Sequence, residues 1–294
     1  MKFPVPLAAL ACGLLACTGA SADTLKKIAD SGKITLAYRE SSVPFSYLAG
    51  AGEPIGFSVD ISNAVVDAVK KQLGRNDIRV DLQAVTSQNR IPLVTNGTVD
   101  LECGSTTNNT ARAKDVQFAV NYFYTGTRLL VKKADGIKNY ADLAKKTVAS
   151  TTGTTNAQVI RKYNRDNDLG MDLVLGKDHN DSMLLVESGR AAAFAMDDIL
   201  LFGLKANASK PADWDVVGDA LQVEPYACML RKDDPKFQVL VNGVIGGMMK
   251  SGEFDKLYTK WFLSPIAPKG QALGLPMSRE LRDNLTAQSD KPAV

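Results

Sequence analysis

Histidine occurs once in the 294 residues, so a multi-histidine metal centre is excluded. Four cysteines are too few for a disulfide-built scaffold in a chain of this length. Beyond the N-terminal segment no stretch reaches about 18 consecutive apolar residues, the least that reads as a helical membrane span. Neither sign of charge dominates: 35 Lys and Arg stand against 32 Asp and Glu, a formal +3. That balance removes a surface-wide nucleic-acid footprint. There is no GxSxG elbow, no HExxH and no paired CxxC, and STTGTTN (residues 150–156) lacks the GK[ST] ending of a phosphate-binding loop. With 45% apolar and 23% charged residues, the composition is that of an ordinary globular chain rather than a disordered, collagenous or coiled-coil one. Its length allows one large domain or two medium ones, at roughly 100–200 residues each.

Residues 1–22 read as a secretory signal. Lys2 supplies the positive start, Val5 to Ala16 the apolar stretch, and Ala20-Ser21-Ala22 a small-residue cleavage site. Pro4 and Pro6 argue against a buried N-terminal helix. Leu14-Leu15-Ala16-Cys17 resembles the lipobox of bacterial lipoproteins, in which Cys17 would carry lipid and tether the protein to a membrane; the soluble form is the expected one. Export leaves Cys103 and Cys228 to be read together. An exported compartment favours a disulfide, and two cysteines suffice for one. Such a bond would close a loop of roughly 125 residues, contributing at most about 5 kcal/mol by chain entropy. Two buried free thiols are the alternative.

Strand-like and helix-like runs alternate along the chain. Expected strands are 33–38, 78–84, 99–104, 126–133, 147–150, 171–175, 191–196 and 226–231, with 216–219 extended. Ile61, Ala64, Val65, Ala68, Val69 and Leu73 recur at helical spacing until Gly74. Further helices are expected at 90–95, 139–146, 154–166, 182–188 and 198–204. Another should run from 236 to 262, interrupted at Gly243, Gly246 and Gly247. Residues 265–294 read as a surface-wrapping or frayed tail. The alternation implies mostly parallel sheets covered on both faces, and two such groups imply two α/β lobes.

Polar clusters follow the predicted strands and precede the predicted helices: RESSVPFSY (39–47), TSQNR (86–90), CGSTTNNTAR (103–112), STTGTTN (150–156), KDHNDS (177–182) and MDD (196–198). Ligands of open α/β sheets sit at such strand ends, against helix N-termini. Arg39, Arg90 and Arg112 can each take a carboxylate in a fork of paired hydrogen bonds. Ser87, Ser105, Thr107 and Thr152 add neutral donors, and the Gly153 to Thr155 turn exposes amides. Asp197 suits an ammonium. Three guanidiniums and a carboxylate fit an acidic amino acid. The plainer readings are solvated arginines, helix caps for the serines, threonines and aspartates, and an exposed His179.

These residues carry a resemblance to the periplasmic amino-acid-binding proteins of ABC transporters, the family 3 solute-binding proteins, and within them to the glutamate/aspartate-binding branch. PFSY, IGFSVDIS (55–62) and Ser105-x-Thr107-x(4)-Arg112 match the general pattern; RESSVPFSY, TSQNRIPL, ECGSTTNN, GTRLLVKK, ESGRA and YACMLRKDDP match the branch. The resemblance runs from about Thr24 to Pro268. It implies an α/β, two-lobed flytrap with two mostly parallel sheets, helices on both faces and a two-strand hinge near Arg128 to Lys132 and Glu224 to Ala227. Lobe 1 would hold residues 23–131 and 224–264, lobe 2 residues 132–223, and 265–294 the tail. Arg112, with Ser105 and Thr107, would take an α-carboxylate, and the Thr152 to Thr155 turn would close on it. Asp197 would pair with the α-ammonium. Arg39, Ser87, Arg90 and His179 would surround a side-chain carboxylate, and Cys103 would pair with Cys228. The implied role is binding of L-glutamate or L-aspartate and delivery to a permease, by a periplasmic monomer with no cofactor. An exported dehydratase-like enzyme on the same fold is the alternative; its acid would have to come from Glu40, His179 or Asp198.

Overall fold

The computed structural model describes residues 22–294, so the signal segment, Cys12 and Cys17 lie outside it. In chain order the elements are helix α1 (Thr24–Ser31), strands β1 (Lys33–Tyr38), β2 (Ser41–Ser42) and β3 (Ser46–Tyr47), α2 (Phe57–Leu73), β4 (Arg79–Ala84), α3 (Arg90–Thr95), β5 (Leu101–Glu102), β6 (Val116–Thr125) and β7 (Thr127–Lys132). Then come β8 (Thr147–Thr151), α4 (Thr155–Asp166), β9 (Asp172–Gly176), α5 (His179–Glu187), β10 (Ala193–Asp197), α6 (Asp198–Asn207), β11 (Trp214–Val217) and β12 (Glu224–Arg231). Helices α7 (Pro235–Ser251), α8 (Glu253–Tyr258) and α9 (Arg279–Ala287) close the chain.

The described residues build two five-stranded sheets, ordered β4-β1-β5-β12-β6 and β11-β7-β10-β8-β9, with β2 and β3 as a separate hairpin. In the first, β1 runs parallel to β4 and β5, while β12 runs antiparallel to β5 and β6. In the second, β8 is parallel to β9 and β10, while β7 is antiparallel to β10 and β11. The parallel share is thus smaller than expected. β7 and β12, the first strands after each crossing, run against the βαβ strands they pair with, because the chain passes between sheets without a crossover helix.

The crossings also fall earlier than the sequence suggested. The chain changes sheet at Gly126, between β6 and β7, and again between β11 and β12. The expected lobe limit at 131 therefore moves back to Gly126, and Arg128 to Lys132 are second-sheet residues rather than a hinge. Gly126 passes the returning segment so closely that a Cβ there would lie 2.1 Å from the Gln222 carbonyl oxygen, which leaves room for no other residue.

One apolar core runs from the α2 and α7 face of the first sheet through the α5 and α6 face of the second, and two smaller cores fill the opposite faces. Phe45, from the PFSY segment, is wholly buried and packs edge-on against Phe123 and Tyr226 at 5.0 and 5.2 Å between ring centres. Such edge contacts fix ring orientation as well as burying area. Cys103 and Cys228 are joined by a disulfide that ties the end of β5 to β12.

Candidate functional site

The parallel strands end on facing sides of the gap between the sheets, and their following turns bring the polar clusters together. Arg39 follows β1, Ser87 and Arg90 follow β4 at the start of α3, and Ser105 and Thr107 follow β5. From the second sheet, Thr155 opens α4 after β8, His179 opens α5 after β9, and Asp197 is the last residue of β10. Between them lies a small cavity of about 10 Å³, lined by Ser87, Arg90, Ser105, Thr107, Thr154, Thr155, Asn156, His179, Met196, Asp197 and Leu200.

Arg39, Arg112 and Thr152 are not among the lining residues. Arg39 lies behind His179, with Nη2 3.3 Å from His179 Nε2 and 2.6 Å from Asp178 Oδ1. Arg112 reaches across the gap, donating from Nη1 to the Thr107 carbonyl at 3.0 Å and from Nη2 to the Gly153 carbonyl at 3.3 Å. Thr152 is turned away, because its amide and hydroxyl both donate to the Gly176 carbonyl where β8 and β9 end their pairing.

Several buried donors here have no protein acceptor: Arg39 Nε and Nη1, Arg90 Nε and Ser87 Oγ. The Arg90 side chain makes one bond, from Nη1 to the Ser105 carbonyl at 3.1 Å. A buried donor without an acceptor bears its full desolvation cost, and a charged one more. Burial and the neighbouring Arg112 push the Arg90 guanidinium down to about 9, so it stays a cation at neutral pH. The chemistry this arrangement accommodates is that of an anion.

His179 is neutral. Burial, then Arg39, lowers its imidazole to about 3. A guanidinium can only donate, so Nε2 is the acceptor toward Arg39, and Nδ1 carries the proton it shares with Thr151 Oγ1 at 3.0 Å. Facing it, Asp197 accepts from Asn156 Nδ2 at 2.8 Å and from the Tyr226 hydroxyl. Burial, then the nearby Glu224, raises the Asp197 carboxyl to about 7.

Sequence reasoning missed the supports. Glu224 Oε2 accepts from Thr155 Oγ1 at 2.7 Å and from Thr107 Oγ1 at 2.9 Å, joining hydroxyls from the two sheets. Tyr226 and Asn156 orient Asp197, and Asp178 holds Arg39. Tyr226 stands inside the YACMLRKDDP segment and Asp178 beside His179, so adjacency to recognised motifs was the available signal. No group of three His, Cys, Asp or Glu side chains suited to a metal occurs among the described residues.

Residues 34–264 match the profile of the bacterial extracellular solute-binding proteins, family 3. Among curated relatives, the chain is 50% identical to the L-glutamate/L-aspartate-binding protein of Pseudomonas aeruginosa, over 92% of this chain and 90% of that one. It is 47% identical to the glutamate/aspartate import solute-binding protein of Escherichia coli, with the same coverage. Among solved structures, it is similar to an ancestral amino-acid-binding protein described as a precursor of cyclohexadienyl dehydratase, with TM-score 0.69 and 30% identity over 81% of this chain and 99% of that one.

Proposed function

Because the chain belongs to the bacterial extracellular solute-binding proteins of family 3, we propose that it is the solute-binding subunit of an ABC importer for L-glutamate and L-aspartate. The observation that carries the specificity is the set of buried donors without protein acceptors: Ser87 and Arg90 in the cavity lining that also holds Asp197, and Arg39 behind His179. An acidic amino acid supplies what each lacks. Its side-chain carboxylate takes the Arg39, Arg90 and Ser87 donors, its ammonium pairs with Asp197, and its α-carboxylate takes Arg112, with the Ser105, Thr107 and Thr155 hydroxyls rotating to it from Ser42 and Glu224. Glutamine offers an amide in place of the second carboxylate, which leaves guanidinium charge uncompensated; that mismatch is the physical basis of rejection.

The role is binding without chemistry, consistent with the names of the relatives above 45% identity. The ligand contacts residues of both lobes, and only the closed form makes both sets of contacts, so binding shifts the population toward closure. The closed protein, a periplasmic monomer, then delivers its ligand to the permease.

Arginine substitutions test the assignment. Arg112→Ala should keep the fold by circular dichroism and weaken glutamate about a hundredfold or more, the scale of removing one partner from a buried charge pair. Arg90→Ala should weaken glutamate more than glutamine in calorimetric titration. Equal losses for both ligands would remove the case for recognition of the side-chain carboxylate.

A further inference from the structure

Asp178 occupies the N-cap position of α5 with φ −138° and ψ −178°. From that extended geometry an aspartate ordinarily accepts one of the first helical amides. Asp178 makes no such bond. Its Oδ1 instead takes Arg39 Nη2 at 2.6 Å. The partners are 139 residues apart, one beyond the end of a first-sheet strand and the other at the head of a second-sheet helix. The Arg39 side chain is 0% exposed and that of Asp178 17%. The pair therefore spans the gap between the lobes, and it exists only where they meet.

Closing the gap places the Arg39 cation away from water. A buried cation is tolerable only with a counter-ion and satisfied N–H groups. Asp178 supplies the counter-ion on the Nη2 side, and Nε and Nη1 remain without a protein acceptor. His179 accepts from the same Nη2, but it is neutral and cannot compensate charge. Burial alone would raise the Asp178 carboxyl; the His179 imidazole, which takes on charge only below about 3, and the permanently charged Arg39 guanidinium outweigh burial and hold the carboxyl at about 2, so Asp178 is an anion across the neutral range.

We propose that Asp178 is a closure-coupled counter-ion for Arg39: it gives up capping its own helix to hold the Arg39 guanidinium by Nη2, with Nε and Nη1 left without protein acceptors, and so keeps the closed form shut. This rests on the proposed function for the identity of the ligand. It has a consequence for specificity. Glutamate brings a second counter-ion to Arg39, whereas glutamine brings none. Loss of Asp178 therefore harms the glutamine complex more than the glutamate complex, and Asp178 sets a ceiling on discrimination while it slows opening.

Asp178→Asn tests this, because asparagine caps helices as well as aspartate does and the change removes charge alone. L-Glutamate binding is followed by stopped-flow fluorescence and titration, and L-glutamine by displacement of glutamate. The expected result is a glutamate off-rate raised about tenfold, an on-rate changed less than about twofold, and a glutamate-to-glutamine affinity ratio widened on the order of tenfold. Asp178→Glu, which keeps the charge, should restore most of the off-rate. An unchanged off-rate in Asp178→Asn, or a glutamate loss equal to or larger than the glutamine loss, overturns the proposal. If the wild type instead binds a different common amino acid, the proposed function fails, and the off-rate comparison with that amino acid still judges the ion pair.

Discussion

Asp197 is the residue whose protonation matters most to the proposed ligand. Its carboxyl is buried beside Glu224 and lies at about 7, above the ordinary 3.8. For stability the sign is that of a raised group: its contribution is complete below 3.8 and is lost as pH rises through about 7. For binding the sign reverses. An ammonium favours the ionised carboxylate, so binding releases a proton and affinity falls as pH drops below about 7. Glutamate affinity should fall on the order of twentyfold between pH 7.5 and 5.5, and Asp197→Asn should bind weakly with a flat profile; a wild-type profile flat across that range would contradict the assignment. At this scale the sequence was most legible where a residue type has one strong chemical use. Ser87, Arg90, Ser105, Thr107, Thr155, His179 and Asp197 all line the cavity. Glu224 was not legible, because a carboxylate amid arginines makes sense only once Thr107 and Thr155 are seen to converge on it.

The element scale shows where local patterns mislead. Strand β6 was missed because VQFAVNYFYT is buried almost throughout and so lacks the period-two alternation that marks a half-covered strand. The glycines of α7 did not interrupt it. Each costs about 1 kcal/mol relative to alanine, and burial of Phe237, Leu240, Val241, Ile245 and Met249 outweighs that. Gly246 has its own reason, since a Cβ there would stand 2.8 Å from Gln288 Oε1. The expected tail contains α9, with Leu281 and Asn284 buried. Beyond α9 the chain returns to the loop that carries Thr107 and Arg112: Thr110 donates its amide to the Ala293 carbonyl, Ala293 to that of Asn108, and Asn108 Nδ2 to that of Asp290. Deleting residues 278–294 should therefore lower the melting temperature by about 5–10 °C and weaken glutamate binding as well. Calorimetry showing both unchanged would mean the strap supports nothing.

For the whole molecule, the two-lobed arrangement was legible from alternating elements, but the contact between lobes was not. That contact depends on backbone proximity, which side-chain patterns do not encode. Gly203 of α6 lies against the loop of the first lobe, where a Cβ would stand 2.5 Å from the Val43 carbonyl oxygen. Since the obstacle is backbone rather than a flexible side chain, Gly203→Ala should resist closure while each lobe keeps its fold. Glutamate affinity should fall about tenfold or more, for an overlap of the kind that costs 1–3 kcal/mol, and X-ray scattering should show less compaction with ligand than in the wild type. Full compaction and unchanged affinity would show that the lobes meet elsewhere. The central claim is that this closed gap holds an amino acid with two carboxylates. Isothermal titration of the wild type with L-glutamate, L-aspartate, L-glutamine and L-arginine tests it most directly: one-to-one binding of the two acidic amino acids, far tighter than either other ligand, is the predicted result, and glutamine or arginine binding as tightly as glutamate would contradict it.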